Sequence, residues 1–403
     1  MTKKLYFEDA YLREFSARIQ ERLFQEGRPA VVLDQTGFYP ESGGQPADRG
    51  TLDGAGVIHV FEDGERIVHL LDRELAGKEE VRGVLDWDRR FDHMQQHTGQ
   101  HVLSQCFVEV LGAETRSFHL GDGVSTLEIG SGEVSEANLD KVETRANEVV
   151  FSNREVRTYF VPPERIGSVP LRKPPKKEGT IRVVEVDGFD YSACGGTHCR
   201  RTGEIGLIKI IRWDRIRNNL RFEFLCGRRA WRDYRDKNRS LLEISRKFSV
   251  HEKDAAAAVE KTIQETRQSR KRLKQLQETL AGFEAGEMIG KEPGPLVQRV
   301  WTDKTAEEVK LLALHIVRRA ERAVLFALRG DERDHFIFAS SGKMPLDLRG
   351  LVPVVLERAK GKGGGGPTLV EIVVEKGAAL EAILAAAADY LALKRSGQPN
   401  RNG

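Results

Sequence analysis

Two histidines four residues apart, His97 and His101, have a spacing that suits the binding of one metal ion. They lie in the segment RRFDHMQQHTGQHVLSQCF, where apolar residues recur at three- and four-residue steps between positions 97 and 111. This pattern predicts a helix. Side chains four positions apart lie on the same face of a helix. Both imidazoles can therefore reach one metal ion.

A second pair, Cys194 and His198, follows in the segment DYSACGGTHCRR. The two glycines between them permit a tight turn around an ion. Three imidazoles and one thiolate form a ligand set that suits zinc. We therefore predict one Zn²⁺ per chain, bound by His97, His101, Cys194 and His198. A closed, purely structural zinc site is the alternative interpretation of these residues.

The sequence around these pairs argues against two classes of metal-dependent hydrolase. Position 98 is Thr, so the glutamate base of the H-E-x-x-H peptidases is absent. Asp92 and His93 form only a fragment of an Asp-His-His phosphoesterase signature, and no other Asp-rich metal motif accompanies them.

Length and composition indicate an ordinary globular chain. Its 403 residues predict about two to four domains. The net charge is only +3, so nucleic-acid binding would depend on local basic patches. There is no N-terminal signal-like segment and no long apolar run, so we expect a cytoplasmic protein with no membrane partner. In that compartment the four cysteines do not predict a disulfide framework.

The elements that would position the two pairs predict an α+β multidomain chain. Residues 1–88 contain short β-rich segments separated by Asp-Gly turns, which predicts a small β-barrel. Residues 89–228 mix helices and strands without a βαβ repeat, and this α+β domain carries both metal pairs. Ser135 is expected to cap one of its helices.

Residues 229–292 predict a helical coiled-coil connector. Ser249 and Glu252 have the spacing of a capping box that would open its second helix. The predicted apolar seam consists of Val259, Ile263, Leu273, Leu276, Leu280 and Phe283. It would serve either an intramolecular helical hairpin or a homodimer through the helical and C-terminal regions. Basic residues with interleaved aromatics open the stretch: Arg228, Arg229, Trp231, Arg232, Tyr234, Arg235, Lys237 and Arg239.

Residues 293–403 predict a separate α/β module with strands at 323–328 and 335–339 and helices at 348–358 and 378–394. The glycine run Gly361–Gly366 is predicted as a loop between those helices. Such a loop offers backbone N–H groups to a phosphate, or serves as a flexible linker.

Three motifs together resemble a known family. They are F-Y-P-E-S-G-G-Q-P at 38–46, H-T-x-x-H at 97–101, and C-G-G-T-H at 194–198 followed by T-G-E-I-G at 202–206. In this order they resemble the editing domains of alanyl-tRNA synthetases and their free-standing relatives, the AlaX proteins. The C-terminal module resembles the DHHA1 domain, so the chain is similar to the long AlaX form over nearly its whole length.

The resemblance implies trans-editing, which is hydrolysis of the ester in tRNA(Ala) mischarged with serine or glycine. His97, His101, Cys194 and His198 would be the zinc ligands. The loop of Gly43, Gly44 and Gln45 would close over the amino-acid pocket. Gln100, Ser117 and His119 lie where this sequence departs from the synthetases, and they are further candidate pocket residues.

The RNA half of such a substrate requires positive charge near its phosphates. Candidate stretches are 171–177, 228–239 and 267–274, and the alternative interpretation is a solvated basic loop or helix face. The predicted tRNA contacts are Lys173, Lys176, Lys177, Arg228, Arg229, Arg270 and Lys271. Two alternative functions stay open, because fold alone does not fix the tRNA. One is editing of Ser-tRNA(Thr), and the other is non-catalytic tRNA binding with structural zinc.

Overall fold

The computed structural model describes residues 1–130, 134–175 and 178–395. The chain is a mixed α+β molecule, as predicted, and it divides into two compact units, Met1–Ile244 and Ser245–Gly403. The finer division at residues 88, 228 and 292 stays a prediction. Within the described ranges, none of the helices combines the length and apolar character that crossing a bilayer requires.

The first unit begins with a closed barrel. Its region contains β1 (Lys3–Lys4), α1 (Leu5–Glu8), β2 (Glu14–Gln25), β3 (Arg28–Leu33), β4 (Gln35–Thr36), β5 (Gly50–Leu52), β6 (Ala55–Asp63), β7 (Arg66–Leu71) and β8 (Glu80–Leu85). The strand order in the barrel is β2-β3-β7-β6-β5-β8. Side chains alternate across each strand, so Phe15 and Ala17 of β2 are buried while Glu14, Ser16 and Arg18 are exposed. Closure removes the free strand edges.

The rest of the first unit packs two helices against small antiparallel sheets. Its elements are α2 (Trp87–Leu111), β9 (Thr115–Leu120), β10 (Ser125–Ile129), α3 (Glu136–Phe151), β11 (Val156–Val161), β12 (Ile181–Val186), β13 (Asp190–Ala193), β14 (Ile208–Ile216) and β15 (Asn219–Cys226). The sheets have the orders β14-β15-β10-β9 and β11-β12-β13. Val102 and Phe107 of α2, Val142 of α3 and Phe222 of β15 belong to one buried core. Ser135 caps α3, as predicted, by accepting a hydrogen bond from Asn138 N.

Helix α2 begins at Trp87, well before the predicted start at His97. Asp86 caps it by accepting a hydrogen bond from Arg89 N at 3.1 Å. The added turns are polar in sequence and therefore show no apolar periodicity, yet Arg90 and His93 within them are buried. The helix ends at Leu111, and Gly112, which has a φ of 62°, caps its C-terminus.

The second unit contains one sheet and flanking helices. Helix α4 (Arg228–Phe248) spans the division between the units and is followed by α5 (Ala255–Lys291), β16 (Leu296–Trp301), α6 (Ala306–Arg319), β17 (Ala323–Leu328), β18 (Arg333–Ser340), α7 (Leu351–Leu356), β19 (Gly361–Gly366), β20 (Leu369–Glu375) and α8 (Leu380–Arg395). The sheet has the order β16-β17-β18-β20-β19.

The glycine run is a strand, so its prediction as a loop was wrong. Gly361–Gly366 pairs antiparallel with β20 along its whole length. Glycine permits this close pairing, because a Cβ on Gly363 would lie 2.6 Å from Cγ1 of Ile372.

The predicted capping box at Ser249 and Glu252 was also wrong. Ser249 has a φ of 55° and directly follows the end of α4. A separate 3₁₀ turn, Glu252–Asp254, precedes α5, and His251 caps it by accepting a hydrogen bond from Lys253 N at 3.4 Å. A left-handed residue cannot also be the extended N-cap that the box requires.

Candidate metal centre and the adjoining cavity

The fold brings the two predicted pairs together. Ligand atoms of His97, His101, Cys194 and His198 all lie within 4.8 Å of one another. Sγ of Cys194 lies 3.4 Å from Nε2 of His97 and 3.4 Å from Nε2 of His198. Bond lengths of about 2.0–2.3 Å give a zinc tetrahedron with edges of about 3.3–3.6 Å. The two Cys194 distances match this edge length, and the cluster is consistent with a zinc site.

A neighbouring side chain holds the second ring nitrogen of each histidine. The pairs are His97 Nδ1 with Gln45 Oε1 at 2.8 Å, His101 Nδ1 with Asp190 Oδ2 at 3.2 Å, and His198 Nδ1 with Thr98 Oγ1 at 3.3 Å. These contacts leave the Nε2 atoms for the centre. Metal-bound histidines characteristically have such second partners, which fix the orientation and tautomer of the ring.

Electrostatics favour the thiolate form of Cys194. Burial would raise the pKa of Cys194, but the charges of His97 and His198 lower it well below its usual value. A deprotonated thiol is the form that binds a metal. Cys194 thus has the protonation state that a zinc ligand needs.

Arg182 holds the turn that carries Cys194. Its buried guanidinium donates hydrogen bonds to the carbonyl oxygens of Cys194 at 3.0 Å and of Gly196 at 2.8 Å. A Cβ on Gly196 would lie 2.2 Å from Cε1 of His97. The turn therefore passes so close to the His97 ring that only glycine fits at this position.

Gln45 connects the loop of Gly43, Gly44 and Gln45 to both ligand pairs. Its Oε1 accepts a hydrogen bond from Thr197 N at 3.1 Å in addition to its contact with His97. Its Nε2 donates to Thr197 Oγ1 at 2.9 Å. Gln45 is fully buried, so the structure gives this predicted pocket residue the geometry of a ligand-positioning group.

A cavity of about 420 Å³ adjoins this loop. Gly43, Gly44, Gln45 and His119 line it, together with Arg49. Gly44 has a φ of 84°, and a Cβ there would lie 3.0 Å from the carbonyl oxygen of Phe118. The loop thus packs directly against β9, and Gln45 both lines the cavity and contacts the metal centre.

The other two predicted pocket residues lie elsewhere. Gln100 is buried and donates to Ser104 Oγ at 2.6 Å, while its Oε1 has no partner within the described ranges. Ser117 is exposed on β9, opposite Glu128 of β10. Of the predicted pocket residues, the structure therefore gathers Gly43, Gly44, Gln45 and His119 around the cavity.

The predicted tRNA contacts have different surroundings. Lys176 and Lys177 lie outside the described residues. Lys173 donates to the carbonyl oxygen of Thr115 and lies 3.5 Å from Glu114. Arg270 and Lys271 are exposed on α5 in the second unit.

Arg228 and Arg229 are adjacent in the chain but differ in exposure. Arg228 is exposed and pairs with Asp88 at 2.5 Å. Arg229 is buried and bonds both carboxylate oxygens of Asp92 and the carbonyl oxygen of Gly121. No exposed guanidinium is left at Arg229 for a phosphate, so its geometry indicates a structural role that anchors α4 to α2.

Sequence reasoning missed several residues that organise the centre. Asp190 holds His101, receives a hydrogen bond from Ser192 Oγ at 2.9 Å and lies 3.4 Å from Nε of Arg172. Arg172 also donates to the carbonyl oxygen of His101 at 3.0 Å. Thr98 could have been noticed beside His97 in its motif. No local signal marks Asp190, Arg172 or Arg182, because their partners are distant in sequence.

Family models and curated proteins match this chain. Residues 181–222 match the family model described as "Threonyl and Alanyl tRNA synthetase second additional domain", and residues 8–89 match "tRNA synthetases class II (A)". The chain is 30% identical to the "Alanyl-tRNA editing protein AlaX-L" of Pyrococcus horikoshii, covering 93% of this chain and 95% of that protein. It is 32% identical to the "Alanine--tRNA ligase" of Pyrococcus furiosus, covering 92% of this chain but only 42% of the ligase.

Among solved structures, the C-Ala domain of Aquifex aeolicus alanyl-tRNA synthetase matches with 21% identity over 24% of this chain and 86% of that one, at a TM-score of 0.21. The match to the Pyrococcus horikoshii protein extends over nearly all of both chains. This chain therefore belongs to the AlaX family of alanyl-tRNA editing proteins, in its long form.

Proposed function

We propose that this protein is an aminoacyl-tRNA deacylase that hydrolyses the ester of tRNA(Ala) mischarged with serine, with glycine as the second candidate acyl group. The convergence of the His97–His101 and Cys194–His198 pairs beside a cavity carries this proposal. The full-length similarity to a protein named for alanyl-tRNA editing supports it.

The chemical need for such an enzyme follows from the limits of binding. A small apolar pocket rejects a similar molecule with one added hydroxyl only weakly. A synthetase that selects alanine will therefore also charge serine at times. A second site can discriminate better if it offers the seryl hydroxyl a buried polar partner, since alanine would leave that partner unpaired.

Zinc at the four residues would supply Lewis-acid polarisation to the attack of water on the ester. The chain's own residues hold the metal ligands in position. Gln45 and Asp190 hold two of the imidazoles in place, and Arg182 holds the turn that carries Cys194. Cys194 is the least buried of the four ligands, so the substrate approaches most easily on its side.

We place the terminal nucleotide of the tRNA in the cavity beside Gly43, Gly44 and Gln45. Its volume of about 420 Å³ accommodates a nucleotide, and exposed Arg49 in its lining supplies positive charge for a phosphate. His119 lies in the same lining and is a candidate contact for the sugar or base. Gln45 then connects nucleotide binding with the orientation of His97.

The remaining assignments concern the rest of the molecule. Lys173, Lys176, Lys177, Arg228, Arg270 and Lys271 are the proposed contacts to tRNA phosphates. The C-terminal unit is proposed as a DHHA1-like module. The apolar seam of α5 is proposed as a homodimer contact, because its leucines are exposed in the structure.

The test is deacylation of Ser-tRNA(Ala), Ala-tRNA(Ala) and Ser-tRNA(Thr) by the zinc-loaded protein and by Cys194→Ala. Cys106→Ala, which removes a buried cysteine that is not one of the four ligands, is the matched control. Rapid loss of only the Ser-tRNA(Ala) ester, abolished in Cys194→Ala and kept in Cys106→Ala, is expected.

Two other outcomes would assign the protein differently. Preferential loss of the Ser-tRNA(Thr) ester would place it with the threonyl editing enzymes. Binding of tRNA without hydrolysis of any substrate would leave a non-catalytic protein with structural zinc.

A further inference from the structure

Four arginines recur along one face of α4. They are Arg228, Arg232, Arg235 and Arg239, at steps of four, three and four residues. At 3.6 residues per turn, the last three lie within about 40° on either side of Arg228. This arginine stripe thus presents about one arginine per turn, with steps of about 4.5–6 Å along the helix axis.

The arginine stripe is exposed and only partly neutralised. All four residues are exposed. Arg228 pairs with Asp88 and Arg235 lies 3.4 Å from Asp236, but exposed pairs of this kind are weak and easily exchanged. Within the part of the chain that the structure describes, Arg232 and Arg239 form no ion pair. The face therefore has positive charge available for a partner.

Two large aromatic side chains flank the arginine stripe. Trp231 is 58% exposed and Tyr234 is 65% exposed. The guanidinium of Arg235 lies 5.0 Å from the centre of the Trp231 ring, so cation and ring form one composite surface. Exposed aromatics beside arginines suit a ligand that has both phosphates and unstacked bases.

The arginine stripe starts where α4 contacts α2, the helix that carries His97 and His101. The backbone N–H of Arg228 donates to Gln95 Oε1 at 3.3 Å, and Gln95 is two residues from His97 on α2. Arg229 bonds Asp92 of α2 and the carbonyl oxygen of Gly121, which lines the cavity. A chain that enters the cavity at this wall can therefore continue along α4.

We propose that the arginine stripe binds the phosphate backbone of the substrate's RNA strand next to its single-stranded 3′ end, with Trp231 stacking on an unpaired base. The inference rests on the proposed function and names the surface that receives the RNA. The spacing of one arginine per turn is comparable to that of successive phosphates along a strand. A phosphate backbone is favoured over an acidic protein surface because the charge is regular and the flanking side chains are flat aromatics.

The experiment measures binding of uncharged tRNA(Ala) to the full-length, zinc-loaded protein over a range of salt concentrations. Arg232→Gln with Arg239→Gln removes the two arginines of the stripe that lack ion pairs. Lys237→Gln with Lys247→Gln removes the same charge from other faces of α4 and is the matched control. The salt slope is the slope of log affinity against log salt concentration. Loss of two phosphate contacts should lower its magnitude by roughly 1.5 and weaken tRNA binding about tenfold or more. The control variant should keep the wild-type slope.

A second variant tests the stacking. Trp231→Ala should weaken binding of intact tRNA(Ala) several-fold without changing the salt slope, and it should have no effect on tRNA trimmed of its single-stranded 3′ end. Two outcomes would overturn the proposal. One is an equal loss of tRNA affinity in the Arg232→Gln/Arg239→Gln variant (the stripe pair) and in the Lys237→Gln/Lys247→Gln control. The other is a wild-type salt slope in the stripe pair. If the stripe pair binds tRNA like the wild type but no longer binds an acidic protein that the wild type binds, the arginine stripe would instead be a surface for a protein partner.

The same variants separate this inference from the proposed function. If the stripe pair deacylates Ser-tRNA(Ala) with wild-type kcat/KM, the arginine stripe is not the RNA surface and the function stands. If tRNA binding depends on the arginine stripe but no ester is hydrolysed, the function fails and the binding surface stands.

Discussion

Gly196 is the position where one atom decides whether the metal centre can form. A Cβ there would lie 2.2 Å from Cε1 and 2.3 Å from Nδ1 of His97, far inside van der Waals contact. Gly196→Ala should therefore displace His97 and lower the zinc content of the purified protein to well below one equivalent, measured by elemental analysis. Deacylation should fall with it.

The neighbouring glycine provides the control for this prediction. A Cβ on Gly195 would have nothing within 4 Å, so Gly195→Ala should keep its zinc. If Gly196→Ala bound a full equivalent of zinc with unchanged affinity, the placement of His97 against this turn would be incorrect.

The ligands could be predicted from the sequence, whereas the residues that orient them could not. Each ligand pair is local, and four-residue spacing is visible in one chain. The orienting contacts are not local: Gln45 and His97 are 52 residues apart, Asp190 and His101 are 89 apart, and Thr98 and His198 are 100 apart. Nothing in the spacing of one sequence distinguishes Asp190 from any other aspartate.

At the scale of elements, a buried ion pair joins α2 to the loop that follows β4. Arg90 and Asp48 are 0% and 1% exposed, and Arg90 also donates to the carbonyl oxygens of Gly37 at 2.6 Å and Ala10 at 2.8 Å. Asp48→Asn would leave a buried guanidinium without its counter-charge. We expect a loss of about 3–5 kcal/mol in the free energy of unfolding, measured by urea denaturation.

The exposed pair of Arg18 and Glu80 serves as the comparison for Asp48→Asn. Its side chains are 74% and 69% exposed, so Glu80→Gln should leave the unfolding midpoint unchanged within error. Similar shifts in Asp48→Asn and Glu80→Gln would show that the Arg90 contact does not stabilise the junction.

The free energy of unfolding should decrease at acid pH because of His69, a histidine buried in the barrel. This ring is fully buried between Thr36 Oγ1 at 2.8 Å and the carbonyl oxygen of Val31 at 3.2 Å. Burial lowers the pKa of His69 to about 4, whereas an unfolded histidine titrates near 6.5. The unfolded state thus binds the proton first, and stability must fall as the pH falls from about 6.5 towards 4.

His69→Gln should remove this part of the acid sensitivity. Between pH 7.5 and 4.5, the wild-type free energy of unfolding should fall by about 2–3 kcal/mol more than that of the variant. Urea denaturation at both pH values measures the difference. The same drop in both proteins would mean that His69 is protonated in the folded state at pH 4.5.

Element boundaries show where a single sequence gives too little information. The start of α2 was missed because the turn that contains Arg90 is polar, although it is buried by a partner elsewhere in the chain. The strand Gly361–Gly366 was missed because glycine has low strand propensity, and only pairing with β20 overrides it. Hydrophobic periodicity in a sequence reflects the burial of apolar side chains. Elements that are stabilised by buried ion pairs or by backbone hydrogen bonds alone do not show this periodicity.

At the scale of the whole molecule, all four candidate metal ligands lie in the first unit, while the second unit contains a long exposed apolar seam. On α5, Leu273, Leu276, Leu280 and Phe283 are 51–72% exposed and lie within about 80° of the helix circumference. Exposed apolar surface of this kind marks an interaction site. The proposed deacylation site and the proposed assembly surface therefore lie in separate units.

The homodimer prediction can accordingly be tested without disturbing the metal centre. Leu276→Glu with Leu280→Glu would bury unpaired carboxylates in a dimer contact, so it should convert a dimer to a monomer in sedimentation equilibrium while the zinc content stays at wild-type level. Gln264→Glu with Gln275→Glu adds the same charge away from the seam and should leave the dimer intact. A wild-type protein that sediments as a monomer at every concentration would reject the dimer and leave the intramolecular hairpin as the interpretation of the seam.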